Sequence, residues 1–263
     1  MQTEYYREYS PSLGRDMEIK RYGHAGRPVL FIPCQDGRFY DFENFHMTDA
    51  WAPWIDAGRV MVFSIDTIDR ETWSDKGGDP HWRIRRHEQW MDFITREAVP
   101  FMRGEANRLN GWEGYPGIIA FGCSLGALHA ANLFFRFPDL FDGLLALSGI
   151  YTASYGFDGY MDEEVYRNSP VDYLAGMPAD HPYIQRYNGK IVVVNCGGVA
   201  MNQELRDAVA TDITLLRLVG VKVVLVHGIG PEVRQALKDA GKELPVVDGF
   251  PQVNEDAIDL VQK

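Results

Sequence analysis

The chain has 263 residues, 46% of them apolar and 24% charged, with a formal net charge of −11. That length is enough for one large α/β domain with a real core, and the acidic balance excludes nucleic acid and anionic membrane surfaces as expected partners. No apolar run reaches membrane-spanning length, Met1-Gln2-Thr3-Glu4-Tyr5-Tyr6-Arg7 forms no signal peptide, and three cysteines suggest reduced thiols, so a cytoplasmic protein is expected.

Residues 3–9 and 16–22 alternate polar and apolar side chains and predict an antiparallel hairpin at a sheet edge. Residues 28–33 form a continuous apolar run, the pattern of a strand covered on both faces, and lead into the polar loop Cys34-Gln35-Asp36-Gly37-Arg38-Phe39-Tyr40. Residues 60–65 are the next buried strand. Residues 66–80, rich in Asp, Gly and Trp, read as a long surface excursion of the kind that shapes a pocket. From 81 to 103 the apolar positions Ile84, Met91, Ile94, Ala98, Phe101 and Met102 recur at helical spacing. A strand at 118–124 is followed by an alanine-rich helix to about 137 and a strand at 144–147, and the unperiodic stretch 148–182 predicts a cap with short helices.

The last quarter reads as a strand at 190–194, a helix capped by Asn202 and ended by Gly220, and a strand at 221–226. A helix then opens at Pro231 and stops near Gly241, and Asn254 starts a short last one. Strands alternating with helices after an N-terminal hairpin imply an α/β fold. The expectation is a mostly parallel eight-stranded sheet with helices on both faces, in a single domain spanning residues 1–263.

One joint carries chemistry. Gly122-Cys123-Ser124-Leu125-Gly126 is G-x-S-x-G between a strand and a helix, the context in which the motif holds a nucleophilic serine. Glycines two positions either side of Ser124 answer the crowding of a sharp turn, and the helix N-terminus favours developing negative charge. A plain tight turn that contains a serine is the alternative. Cys34, Cys123 and Cys196 each follow a strand, at the sheet edge where ligands bind; three small half-buried residues near strand ends is the structural reading.

Up to about residue 187 the chain resembles the esterase D-like branch of the α/β-hydrolase superfamily. The residues that carry this are Tyr9-Ser10-Pro11-Ser12-Leu13-Gly14-Arg15-Asp16-Met17, Gly37-Arg38-Phe39-Tyr40-Asp41-Phe42, Arg86-His87-Glu88-Gln89, the elbow around Ser124, Phe137-Pro138-Asp139-Leu140-Phe141-Asp142 and Asn168-Ser169-Pro170-Val171-Asp172-Tyr173. From residue 189 onward the chain resembles the first part of N-acetylglutamate kinase, through Lys190-Ile191-Val192-Val193-Val194-Asn195-Cys196-Gly197-Gly198 and Val224-Leu225-Val226-His227-Gly228-Ile229-Gly230-Pro231. It departs from that family at Asn195, where the family carries a phosphate-binding lysine, and at Val199 and Ile229 in the glycine turns, so no kinase activity or nucleotide affinity is expected. The segment is read as a structural substitute that supplies the last two strands of the hydrolase sheet.

The first resemblance implies a serine hydrolase with chain order Ser, acid, His, acting on a small carboxylic ester through an acyl-serine. It implies oxyanion donors at the backbone N–H of Leu125 and at that of Gln35 or Asp36, with neither cofactor nor metal. His227, which follows the last strand, is the candidate base; His24, His46, His81, His87 and His181 lie elsewhere, and His129 sits one turn down the helix after Ser124. Candidate acids are Glu204 and Asp207, with Asp158 and Asp162 as fallbacks. Two other readings stay open: a catalytically silent chimera, and a small-anion binder at Gly228-Ile229-Gly230 with the helix from Pro231.

Overall fold

A computed structural model describes residues 1–114, 116–189, 191–195, 203–218, 220–226, 235, 237–241, 246–247 and 250–251. The main sheet contains β1 (Thr3–Ser10), β2 (Arg15–Tyr22), β3 (Arg27–Ile32), β4 (Val60–Ile65), β5 (Ile118–Cys123) and β6 (Phe141–Leu147), in the order β1-β2-β4-β3-β5-β6. Strands β4, β3, β5 and β6 run parallel, and the β1–β2 hairpin joins them antiparallel at the β4 side. The hairpin closes through Gly14, whose φ of 68° lets its N–H reach the Ser10 carbonyl at 2.8 Å.

Period-two alternation on the central strands builds two apolar layers. Leu30, Ile32, Phe63, Ile65 and Ala120 point into one cluster with Met91, Ile94 and Leu133, while Val29, Phe31, Val62 and Phe121 meet Phe42 and Ile55 in the other. The second layer is covered by α1 (Asp41–Asn44) and α2 (Met47–Ile55). The first is covered by α3 (Pro80–Asp92), α4 (Val99–Asn110) and α5 (Leu125–Arg136). Asp79 starts α3 by accepting the Trp82 N–H at 2.7 Å, with Pro80 at the first helical position where its missing N–H costs nothing. A π-helical stretch, Phe93–Ala98, joins α3 to α4 just ahead of Pro100, whose ring would clash with a regular preceding turn. The cap consists of α6 (Ser154–Phe157), α7 (Glu163–Arg167), α8 (Pro170–Tyr173) and α9 (Pro182–Tyr187), the short helices its irregular sequence predicts.

The sheet itself differs from the expected eight strands. Strands β7 (Ile191–Asn195) and β8 (Lys222–Val226) pair with each other in parallel, in a separate two-stranded sheet, with α10 (Gln203–Leu218) between them in the chain. Their apolar runs dictate strands, but backbone groups in a strand accept any edge, and each finds its partner in the other. Strand β6 is therefore the outer strand of the main sheet, and Leu145 and Leu147 on it are 40% and 45% exposed. Leu215 of α10 and Val221 still join the main apolar cluster, and Gly220 ends the helix as expected, with φ at 80°.

A second correction concerns residues 66–80, expected as a surface excursion. Ile68, Asp69, Thr72 and Trp73 in it are buried, because Trp73 packs edge-on against Phe157 and His87. Of the described helices none is long and apolar enough to cross a membrane.

In the second layer Phe121 is fully buried and stacks on Trp51 at 5.1 Å. Phe121→Ala is expected to lower unfolding free energy by about 3–5 kcal/mol, and Leu145→Ala, on the exposed edge, by no more than about 0.5 kcal/mol; urea titration of both measures the contrast.

Candidate active site

The parallel strands bring the ends of β3, β5 and β6 to one edge, and Ser124 stands there. Its backbone sits at φ 56° and ψ −120°, a region nearly closed to residues with a side chain. The turn is tight enough that both flanking glycines are required. A Cβ on Gly122 would lie 2.0 Å from the Gly126 carbonyl oxygen, and one on Gly126 would lie 2.2 Å from that of Pro33. The Ser124 N–H donates to the Leu147 carbonyl at 2.9 Å, which ties the elbow to β6. The side chain makes no cap to its own helix, and among the described residues its hydroxyl has no hydrogen-bond partner. Ser124 as a whole is half-buried.

The oxyanion candidates lie around it. Leu125 is the first residue of α5, so its N–H has no acceptor within the helix. Across the edge, the loop after β3 is held by its side chains. Gln35 Nε2 donates to Ser74 Oγ at 2.6 Å, Tyr155 donates its hydroxyl to Gln35 Oε1, and Ser74 Oγ donates to Asp36 Oδ1 at 2.7 Å. Asp36 adopts a left-handed φ of 59° and directs its N–H to Asp69 Oδ2 at 3.2 Å. Of the two expected alternatives, Asp36 therefore has its amide engaged, while the Gln35 N–H has no partner among the described residues. Two clefts flank this loop. One of about 480 Å³ is lined by Asp36, Arg38 and Arg70, and one of about 270 Å³ by Tyr155, Lys76 and Arg83; Ser124 lines neither.

Beneath the loop is a polar cluster that the sequence did not disclose. Asp69 is 2% exposed and its Oδ1 receives the Nε2–H of His129, itself fully buried, at 3.1 Å. His87 accepts the Trp73 indole N–H on Nδ1 at 3.2 Å, which assigns its proton to Nε2, and burial holds its pKa well below the ordinary histidine range. His87 Nε2 and His129 Nδ1 are buried without partners among the described residues. Asp69 thus links α5, through His129, to the loop that carries Gln35. Its only sequence signal was its place in an Asp-rich loop.

The remaining candidates fare differently. His81 pairs with Asp162 at 3.4 Å, and His181 donates Nε2–H to the Phe135 carbonyl at 2.9 Å. Asp162 caps α7 by accepting the Val165 N–H at 2.8 Å, and Asp158 is exposed. Glu204 and Asp207 fall on α10, their side chains outside the described residues; His227, Cys196, Asn202, Asn254, the Gly228-Ile229-Gly230 turn and Pro231 lie outside them altogether. A carboxylate of α10 not named among the candidates, Asp212, reaches the end of β6. It accepts the Tyr151 hydroxyl at 2.7 Å and the Gly149 N–H, just after β6, and burial raises its pKa.

Comparison with known proteins fits this geometry. The Esterase family model ("Putative esterase") matches residues 10–208. The chain superposes on a ferulic acid esterase with a TM-score of 0.60 at 16% identity, covering 86% of this chain and 90% of that one. It superposes on an S-formylglutathione hydrolase from Agrobacterium tumefaciens with a TM-score of 0.57 at 14% identity, covering 86% of each. For a fluorophosphonate-binding serine hydrolase of Staphylococcus aureus the TM-score is 0.53 at 13% identity, with 91% and 96% covered. At such identities the likeness is one of fold. Separately, 82 residues are 45% identical to acetylglutamate kinases of Burkholderia mallei and Burkholderia pseudomallei, 31% of this chain but only 27% of the length of those kinases.

Two predictions follow from the elbow and the link beneath it. Gly126→Ala is expected to destabilise the fold by about 1–3 kcal/mol or more, since backbone must move, whereas Gly104→Ala, mid-helix with nothing within 4 Å of its Cβ, should stabilise by about 0.5–1 kcal/mol; thermal melts of both check the sign. Asp69→Ala should cost about 1–3 kcal/mol for each donor it leaves unpaired, read by urea titration.

Proposed function

The chain belongs to the Esterase family, and on that premise we propose that it hydrolyses small carboxylic esters through an acyl intermediate on Ser124. The observation that carries the reading is the strained, glycine-flanked Ser124 at the sheet edge, its hydroxyl without a hydrogen-bond partner among the described residues. Ser124 Oγ attacks the ester carbonyl while the base takes its proton; the tetrahedral oxyanion receives the N–H groups of Leu125 and Gln35. Collapse expels the alcohol, which leaves with the proton from the base. Water, deprotonated by the same base, then releases the acid and restores the serine.

His227 is proposed as that base, oriented by Glu204 or Asp207. Their place in the chain supports this, since the base and acid follow the nucleophile in the order Ser, acid, His. The ferulic acid esterase and the S-formylglutathione hydrolase are by name hydrolases that act at an acyl carbon, the same class of step. Phosphoryl transfer is not assigned, because Asn195, Val199 and Ile229 stand where a kinase of the similar family handles phosphate.

Turnover of p-nitrophenyl acetate tests the reading. Ser124→Ala is expected to lower kcat/KM at least about a thousandfold, and mass spectrometry of quenched wild-type protein should find the acetyl group on the Ser124 peptide. His227→Ala should lower kcat by about a hundredfold or more. An unchanged rate in Ser124→Ala would refute the nucleophile, and an unchanged rate in His227→Ala would remove that histidine alone.

A further inference from the structure

The ends of β3 and β5 bring two thiols together beside the elbow. These strands are adjacent and parallel, and their last register pair is Ile32↔Gly122. Cys123 is one residue past that pair on β5 and Cys34 two past it on the β3 side, where the chain bends into the loop. Cys34 is therefore diagonal to Cys123, and a strand spacing of about 4.8 Å with an offset of about 3.3 Å along the strand gives about 5.8 Å, inside the window of about 4.4–6.8 Å between Cα atoms that a disulfide needs. The two thiols lie close enough to shift each other's protonation, both are half-buried, and neither is bridged. No group of three His, Cys, Asp or Glu side chains able to hold a metal occurs among the described residues, so the pair lacks the further donors a zinc site would use.

The contact sets the chemistry of the pair. The contact with Cys123 lowers the pKa of Cys34, and the same contact together with burial raises that of Cys123. The first proton leaves easily and the second with difficulty. A thiolate with a protonated thiol against it is the arrangement in which one sulfur reacts with an oxidant and the other resolves the product.

We propose that Cys34 and Cys123 form an oxidation site, converted by hydrogen peroxide into an intramolecular disulfide that slows the adjoining elbow. The Cys34 thiolate attacks a peroxide oxygen; the O–O bond breaks, and the departing hydroxide takes a proton and leaves as water. Cys123 sulfur then attacks the sulfenic sulfur of Cys34. An S–S bond forms, the S–O bond breaks, and hydroxide leaves as a second water with the Cys123 proton. Two thiols are oxidised and one peroxide is reduced to two waters. Closing a thiol contact to a bond of about 2.05 Å draws Cys34, and the Gln35 amide that follows it, toward the turn. Displacing a catalytic group by about 1 Å can cost about a hundredfold in rate; this slowing rests on the reading of Ser124 as nucleophile and Gln35 as oxyanion donor.

The test treats the reduced full-length chain with hydrogen peroxide, blocks free thiols with N-ethylmaleimide and maps peptides by mass spectrometry. Expected are a loss of two hydrogens, the Cys34 peptide joined to the Cys123 peptide, and Cys196 alkylated. In parallel, p-nitrophenyl acetate turnover should fall about 10- to 100-fold and return with dithiothreitol. In Cys123→Ala no crosslink forms and Cys34 proceeds to sulfinic acid. A crosslink to Cys196, or two free thiols at 34 and 123 after treatment, overturns the site; a Cys34–Cys123 crosslink with unchanged turnover overturns the slowing. If untreated protein turns over no ester, the nucleophile reading has failed and the crosslink alone decides the site.

Discussion

A residue held where its backbone does not want to be must be trapped from every side, and Ser124 is so trapped. Its conformation costs about 1–3 kcal/mol, and relaxing it would require movement of three strand ends at once. The end of β3 presses on Gly126 through the Pro33 carbonyl, the end of β6 holds the Ser124 N–H, and the Ala127 N–H closes the turn onto the Ser124 carbonyl at 3.0 Å. The apolar layers on both sides of the sheet keep those ends in register, so the core stabilises the strain that lifts the hydroxyl clear. The same crowding leaves the Leu125 N–H at the open end of a helix, without a cap from Ser124. The strain at Ser124, the lift of its side chain from the sheet and the uncapped Leu125 N–H are one geometric fact.

The second donor depends on a longer chain of contacts. A carboxylate as buried as Asp69 is tolerated because both of its oxygens receive hydrogen bonds, one from α5 and one from the loop after β3. Helix and loop are the two elements that carry Leu125 and Gln35. Asp69 therefore fixes the distance between the two amides without touching either, and Tyr155 and Ser74 clamp the Gln35 side chain from the solvent side. Rigid support behind a donor matters as much as the donor, because a preorganised amide needs no reorientation when charge develops on the oxyanion.

Much of this was legible in the sequence. Strands β3 to β5 fall within a residue of their apolar runs because burial on two faces forces a continuous pattern, β1 and β2 fall within a residue of their alternating ones, and G-x-S-x-G between strand and helix located the elbow. The start of β6 was missed because Asp142 and Gly143 interrupt its pattern. What could not be read was choice of partner. The runs at 190–194 and 221–226 dictate strands but not the edge they join, and they pair with each other. Asp69 looked like any loop carboxylate, since its meaning comes from His129 sixty positions away in the chain. Cys34 and Cys123 could be placed at the same sheet edge, but that they are close neighbours there follows only from the register of β3 with β5.

The chemistry divides along the same line. Stabilising the oxyanion is work for backbone amides fixed by the main sheet, and removing one such donor typically costs about 2.7–4 kcal/mol of transition-state stabilisation. Moving the serine proton is, in the proposed mechanism, work for a side chain from the last quarter of the chain, the part that resembles the kinases. The two parts are joined beside the elbow by Asp212, which receives the Gly149 N–H and the Tyr151 hydroxyl directly after β6, while β6 itself holds Ser124. On the same helix Asp207 lies five residues and Glu204 eight residues before that anchor. At 1.5 Å per residue these are about 7 and 12 Å along its axis. An acid so placed is carried by a helix docked at the sheet edge, which is what orienting an imidazole requires. Of the two proposed acids, Asp207 is the nearer to that anchor along the helix axis.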